Sequence, residues 1–253
     1  MTRPTGDAAG LRCHVIEGEP GCAYAVAHDC VAVVVDALRA SATAAMLLDA
    51  SASELIVVRE VEDAFAVKQA HPDALLFGER EGLPPKGFDC GNSPRIDLAV
   101  EGCRIVFTTT TGAGRLVSCW GARAVYMGST VNAGALASRV LSYGTDVVLI
   151  PAGLAGDPAF DAQEDWAAAT AIALRMDAPI GEGADACEHW RRRIDREGLP
   201  QLFATSPHAA KLRRLGLEDD VSYAAQVDLT SAVPRAVARM PHGVTCVDAC
   251  RAG

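Results

Sequence analysis

The sequence predicts an α/β protein built in three layers, α/β/α, with a mostly parallel or mixed sheet between the helices. Three observations carry this expectation. Short β-branched runs alternate with longer helical stretches through the first 175 residues. The strand candidates are continuously apolar instead of alternating, as strands covered on both faces are. Half of the 253 residues are hydrophobic, mostly Ala, Val and Leu, and only 5% are aromatic, which suits alanine-rich helices packed on valine-rich strands.

Taken in order, residues 1–12 read as a frayed terminus. Val31–Val35 is the first strand and Ser41–Leu48 the helix after it. Leu55–Val58 is a strand and Val61–Ala70 a helix, whose Glu62-Asp63 pair complements the positive end of the helix. Ala74–Phe77, Ile105–Thr108, Ala124–Met127 and Val147–Ile150 are further strands, and Ala133–Ser142 and Glu164–Arg175 further helices. Past Arg175 the texture changes. Glu182–Glu197 is charged, and its Arg191-Arg192-Arg193 run, flanked by Glu188, Asp195 and Glu197, reads as a solvated helix face. Ser206-Pro207 reads as a helix start, with Ser as the cap and Pro in the first turn. The length suits a single domain over 1–253, or two closely packed lobes of about 13–145 and 146–253.

The net charge of −9 excludes a global positive field, so nucleic acid and anionic membranes are not expected partners. A few local arginines can still dominate a pocket, which leaves a small anionic substrate open. No run approaches the ~18 consecutive apolar residues of a membrane span, and the first thirty residues lack a basic start followed by an apolar core. A cytoplasmic location is the expectation. The nine cysteines form no C-x-x-C pair, which argues against zinc and thioredoxin-like chemistry; most are expected to be small buried hydrophobes in a reducing compartment.

The stretch from Gly78 to Pro94 draws the most attention. Four glycines and three prolines are mixed with Glu79, Arg80, Asp89, Asn92 and Ser93, directly after an apolar strand. Loops fed by buried strands are where α/β proteins place binding and catalytic groups. Four further strand-to-helix junctions carry polar groups. In Asp36-Ala-Leu-Arg39-Ala-Ser-Ala-Thr43, Asp36 holds a metal, acts as a base, pairs with Arg39 or caps the helix, while Arg39 can make paired hydrogen bonds to phosphate. Thr108–Arg115 offers four hydroxyls, two glycines and an Arg, though without the Gly-Lys-[Ser/Thr] ending of a Walker A loop. Gly128–Ala133 contains Asn132, and Pro151–Asp165 ends in two acids that also suit a plain helix start. These junctions are expected on one edge of a parallel sheet. Arginines with hydroxyls suggest a phosphate; acids among them suggest a divalent cation held by oxygen, Mg²⁺.

Two phosphatase signatures are absent. A haloacid-dehalogenase site needs a second Asp two residues after the first, where Leu38 stands. Cys187 and Arg193 have the spacing of a Cys-phosphatase loop, but the intervening Glu-His-Trp-Arg-Arg is too bulky for a phosphate cradle.

Taken together, Asp36–Thr43, Gly78-Glu-Arg-Glu-Gly82 with Gly87-Phe-Asp-Cys-Gly-Asn-Ser-Pro94, Thr108–Arg115, Gly128–Ala133 and Glu164-Asp165 resemble the 2-phosphosulfolactate phosphatase family. Order and spacing match over roughly 31–170, and a looser similarity continues through Ser206, Gly216, Asp220, Tyr223 and Pro234. Two positions depart from the family pattern: Thr111-Gly-Ala-Gly-Arg115 where Thr-Asn-Gly-Thr-Arg is common, and Ala42 where Ser or Thr is frequent.

The resemblance implies a Mg²⁺-dependent phosphatase of α/β/α fold that converts 2-phosphosulfolactate to sulfolactate and phosphate, on the route to coenzyme M. It implies catalytic roles for Asp36, Arg39, Glu79, Arg80 and Asp165, with Mg²⁺ held by some of Asp36, Glu79 and Asp165. Arg39 and Arg80 would hold the substrate's anionic groups, and Asn92, Ser93, Thr109, Thr110, Gly112 and Asn132 would complete the cradle. The alternatives are a phosphatase for another small 2-phospho acid and a non-catalytic binder of a phosphorylated or sulfonated metabolite. A homodimer is the assembly considered.

Overall fold

The computed structural model describes residues 10–251. It begins with strand β1 (Cys13–Val15), helix α1 (Gly18–Ala27), β2 (Val31–Val35), α2 (Ala40–Asp49), β3 (Glu54–Val58) and α3 (Val61–Ala70). Next come β4 (Leu75–Gly78), β5 (Arg104–Thr108), α4 (Gly112–Ser118), β6 (Ala124–Met127), a 3₁₀ turn at Thr130–Asn132, α5 (Ala133–Leu141) and β7 (Val147–Pro151). Five helices follow: α6 (Gln163–Met176), α7 (Ala184–Glu197), α8 (Leu199–Ala204), α9 (Pro207–Arg214) and α10 (Glu218–Ala224). The hairpin β8 (Pro234–Met240) and β9 (Gly243–Asp248) closes the order.

All six expected strands form, because each is buried on both faces. In β2, Val31, Val33 and Val35 enter one apolar cluster and Ala32 and Val34 another. Helices α1, α2 and α4 cover one face of the sheet; α5 to α10 cover the other face over β1, β7, β2 and β6, and α3 covers it over β3 to β5. The three-layer expectation is met. The terminus expected to be frayed is ordered where it is described: Leu11 packs on the core and Arg12 N donates to Asp146 Oδ1 at 2.8 Å. Residues 1–9 lie outside the described residues.

The sheet is mixed, in the order β1-β7-β2-β6-β8-β9-β3-β5-β4. β1, β7, β2 and β6 are parallel to one another, as are β3, β5 and β4. Between these blocks the ladder reverses three times, at β6–β8, β8–β9 and β9–β3. An odd number of reversals means the two blocks run in opposite ladder directions. The expectation of the polar junctions along one edge is therefore met for those after β2, β6 and β7, whereas those after β5 and β4 belong to the oppositely directed block. The carboxyl ends of β2 and β5 meet all the same, with Gly112 packed against Asp36.

The hairpin was not legible as strands because β8, Pro-Arg-Ala-Val-Ala-Arg-Met, alternates only weakly. Its seam with β3 is tight. A Cβ on Gly243 would lie 2.0 Å from the Val57 carbonyl oxygen. Gly243→Ala is expected to destabilise the protein by about 2 kcal/mol or more in chemical denaturation, through forced backbone separation. An unchanged midpoint would contradict the β3–β9 pairing.

Candidate active site

Asp36 follows β2 directly and is buried. Its Oδ1 accepts from Ala40 N at 3.1 Å and its main-chain oxygen from Ser41 N at 2.9 Å. The amino end of α2 is thus capped by Asp36 itself and does not stand open for an anion. Asp36 does not pair with Arg39. Burial lifts its carboxyl from 3.8 to about 6; nearby Glu79 and Glu164 push the same way, while His208 and the Ala40 N–H oppose. A Cβ on Gly112 would lie 2.6 Å from Asp36 Oδ2 and 2.8 Å from the Ala40 Cβ. In this chain the backbone at Gly112 passes too close to the carboxylate and to Ala40 for a side chain to fit without movement. Ala42, also a departure from the family pattern, packs in the apolar core and does not touch the cleft.

The Gly78–Pro94 loop brings Glu79 opposite. Gly78 has φ +151, and a Cβ there would meet the Thr108 oxygen at 2.0 Å, so only glycine can deliver the chain to this point. Glu79 Oε1 accepts from Thr110 N at 2.7 Å, and Oε2 from Gly82 N at 2.8 Å and the Thr110 hydroxyl at 3.1 Å. Arg39 donates to Asp220 Oδ2 at 2.5 Å and to the Gly82 oxygen at 2.8 Å. Ser93 Oγ donates to the other Asp220 oxygen at 2.7 Å.

The third wall comes from the helices past residue 175. Ser206 Oγ accepts from Ala209 N at 3.1 Å and Pro207 occupies the first turn, as the sequence indicated. This cap sets His208 and Lys211 on one face of α9, three residues apart. His208 Nδ1 donates to Glu164 Oε1 at 2.5 Å, and the Glu164 side chain is fully buried. Burial works against the imidazolium, but the Glu164 hydrogen bond and the charges of Glu164 and Asp36 prevail and raise its pKa. Among the described residues Lys211 has no ion-pair partner.

Five of the residues singled out from sequence line this cleft: Asp36, Arg39, Glu79, Asn92 and Thr110. Asn92 Oδ1 is buried without a partner. The others sit behind it. Arg80 turns away, donating to the main-chain oxygens of Glu79 and Arg59, each at 2.7 Å, and to Thr108 Oγ1 at 3.0 Å. Asp165 accepts from Ala37 N at 2.8 Å and Gly153 N at 3.2 Å, tying the loop after β2 to the loop after β7. Its pKa stands well above the ordinary value through burial and the neighbouring Glu164 and Asp36. Asn132 is consumed by Ser129 N and the Ala232 oxygen, both at 3.0 Å. Thr109 Oγ1 accepts from Ala113 N at 3.0 Å. Cys187, the sulfur of the rejected Cys-phosphatase spacing, is a buried thiol pushed up to about 11.

His208, Lys211 and Thr111 line the cleft as well. Thr111 belongs to the Thr108–Arg115 loop singled out from sequence, but sequence reasoning passed over His208 and Lys211, although a capped helix start with His and Lys three apart was the available signal. Among the described residues no three His, Cys, Asp or Glu side chains gather as a metal cluster. Two carboxylates, Asp36 and Glu79, face the cleft. That donor set fits Mg²⁺, which keeps several waters and takes one or two protein carboxylates plus substrate oxygens.

A family model described as 2-phosphosulpholactate phosphatase matches residues 22–239. A Deinococcus radiodurans protein named "Probable 2-phosphosulfolactate phosphatase" is 39% identical over 218 residues, covering 82% of this chain and 88% of that protein. Proteins of the same name from Carboxydothermus hydrogenoformans and Thermotoga maritima are 35% and 33% identical, each over 209 residues. These alignments cover 82% and 81% of this chain, and 87% and 88% of the relatives.

The raised Asp36 pKa has a consequence for stability. Stability linked to this carboxyl is fully present below pH 3.8 and lost as pH rises through about 6, because the unfolded chain ionises more readily. Asp36→Asn keeps the cap and removes the charge. Without divalent cation it should stabilise the protein by up to about 3 kcal/mol at pH 7.5, the gain fading to nothing near pH 4. Thermal melts of both proteins at the two pH values check this.

Proposed function

The chain belongs to the 2-phosphosulpholactate phosphatase family and is a phosphoric monoester hydrolase; from that premise we propose that it hydrolyses 2-phosphosulfolactate to sulfolactate and phosphate with Mg²⁺. The observation that carries the metal part is Asp36, a carboxylate that burial has made costly to ionise, facing Glu79 across the cleft. Asp36 and Glu79 would hold Mg²⁺, with Asp165 bracing the loop that carries Asp36. Bound there, the ion would neutralise phosphate charge and polarise the phosphoryl group.

The chain's own residues do the rest. The Thr110 N–H and hydroxyl and the Gly82 N–H fix the Glu79 carboxylate. Arg39 keeps one edge of its guanidinium on Asp220 and Gly82 while lining the cleft, which sets its plane before substrate arrives. Lys211 supplies a cation for a substrate bearing phosphate, carboxylate and sulfonate together. The unpartnered Asn92 amide oxygen suits a hydroxyl or an ordered water.

We read the setting as cytoplasmic and the product as feeding coenzyme M synthesis. All nine cysteines are free, as a reducing compartment favours, and no helix among the described residues is long and apolar enough to cross a membrane.

Phosphate release from 2-phosphosulfolactate, phospholactate and phosphoglycolate, with and without Mg²⁺, tests the reading. The sulfonated substrate is expected to have the highest kcat/KM, and only with Mg²⁺. Preference for another acid would replace the substrate. Asp36→Asn and Glu79→Gln should each abolish Mg²⁺-dependent turnover; full activity in both would sink the metal assignment. Lys211→Ala should raise KM for the sulfonated substrate roughly tenfold or more, the worth of one charged hydrogen bond, with kcat less affected.

A further inference from the structure

Resting on the phosphatase reading above, we infer that His208 is the general acid that protonates the leaving alcohol, held in position by the buried Glu164. The leaving group of 2-phosphosulfolactate is a secondary alkoxide, far too basic to depart unaided. A cleft suited to this substrate needs a proton donor as well as groups that hold phosphate.

The geometry supplies one. The Nδ1 bond to Glu164 Oε1, 2.5 Å, fixes the ring and leaves Nε2 as the free nitrogen. Among the described residues Nε2 has no hydrogen-bond partner, and the ring lines the same cleft as Asp36 and Lys211. Phe160 packs against the imidazole in a tilted arrangement, with ring centroids 4.7 Å apart and planes at 49°, a second contact that restrains the ring. Position in the first turn of a capped helix fixes its backbone. Glu164 is buried, its Oε2 lacks any partner, and a cation at His208 is the nearest compensation for its charge. Of the charged groups facing the ring, Glu164 and Asp36 favour the imidazolium and Lys211 opposes it. An imidazolium has no lone pair at Nε2, so the arrangement suits an acid and not a nucleophile.

The step balances. The bond between phosphorus and the ester oxygen breaks with its electron pair on oxygen, and the Nε2 proton moves to that oxygen to give the alcohol. Water bonds to phosphorus, keeps one proton in the product phosphate and returns the other to the imidazole. Glu164 touches no reacting atom and acts as a positioning residue.

The test compares the preferred 2-phospho acid with an analogue carrying two fluorines on the carbon beside the ester carbon. The fluorines make the alcohol a better leaving group with less need of a donated proton. His208→Gln is expected to slow single turnover of the natural substrate by about 10²–10⁴-fold and the fluorinated one at least about tenfold less. Glu164→Gln should show a smaller loss with the same bias, and decides the matter if His208→Gln does not fold. Equal losses on both substrates, or no loss on either, would overturn the assignment. Wild-type protein inert towards every 2-phospho acid would overturn the phosphatase reading and this one with it; an active wild type with equal losses overturns this one alone.

Discussion

The site hangs on the ion pair between Arg39 and Asp220, whose side chains are 3% and 4% exposed. Three segments distant in sequence converge on it: the start of α2 through Arg39, the Gly78–Pro94 loop through Gly82 and Ser93, and α10 through Asp220. A pair this deep gives little net stability against an apolar replacement, but removing one partner strands a charge at a cost of about 3–5 kcal/mol. Its value is in registration. It clamps α10, and through its packing α9 with His208 and Lys211, onto the loops that carry Asp36 and Glu79, and it occupies the guanidinium that a first reading would assign wholly to phosphate.

Around that clamp the cleft concentrates negative charge. Burial makes the Asp36 and Asp165 carboxyls reluctant to ionise, and the charges of Glu79 and Glu164 around Asp36, and of Glu164 and Asp36 around Asp165, add to it. Each acid is balanced differently. Glu79 takes three hydrogen bonds, Asp165 two main-chain N–H groups, and Glu164 an imidazole. Asp36 has only one N–H on its carboxylate, and is the acid most in need of a cation. The cluster keeps these acids at a cost in stability, as functional sites do.

Much of this was legible in the sequence, for physical reasons that also mark the limit. Val31–Val35 and Val147–Ile150 announced themselves because strands covered on both faces must be apolar throughout. Asp36, Glu79 and Thr110 were found because a polar residue at the end of such a strand has few reasons to be there. Arg80 and Asn132 look identical by that criterion, yet main-chain groups consume their hydrogen-bonding capacity. Composition cannot show which way a side chain turns. His208 and Lys211 lie on a short polar helix whose approach to the cleft depends on packing between α6, α8 and α9, and β8–β9 draws its partners from strands more than a hundred residues earlier.

That hairpin also bears on the order in which the molecule can assemble. β8 and β9 follow every other described strand in sequence, yet they occupy the centre of the sheet, between β6 and β3. Without them the two parallel blocks share no strand pairing and are joined only through helices such as α4, which packs on both β2 and β3. The two carboxylates that face each other in the cleft ride on different blocks, Asp36 on one and Glu79 on the other. Folding must close long loops before the middle of the sheet can form, a topology that slows the search and leaves strand edges exposed meanwhile. Catalytic geometry therefore depends on a hairpin that contributes no residue to the cleft, and a truncation that trims it would remove the seam between the blocks that carry Asp36 and Glu79.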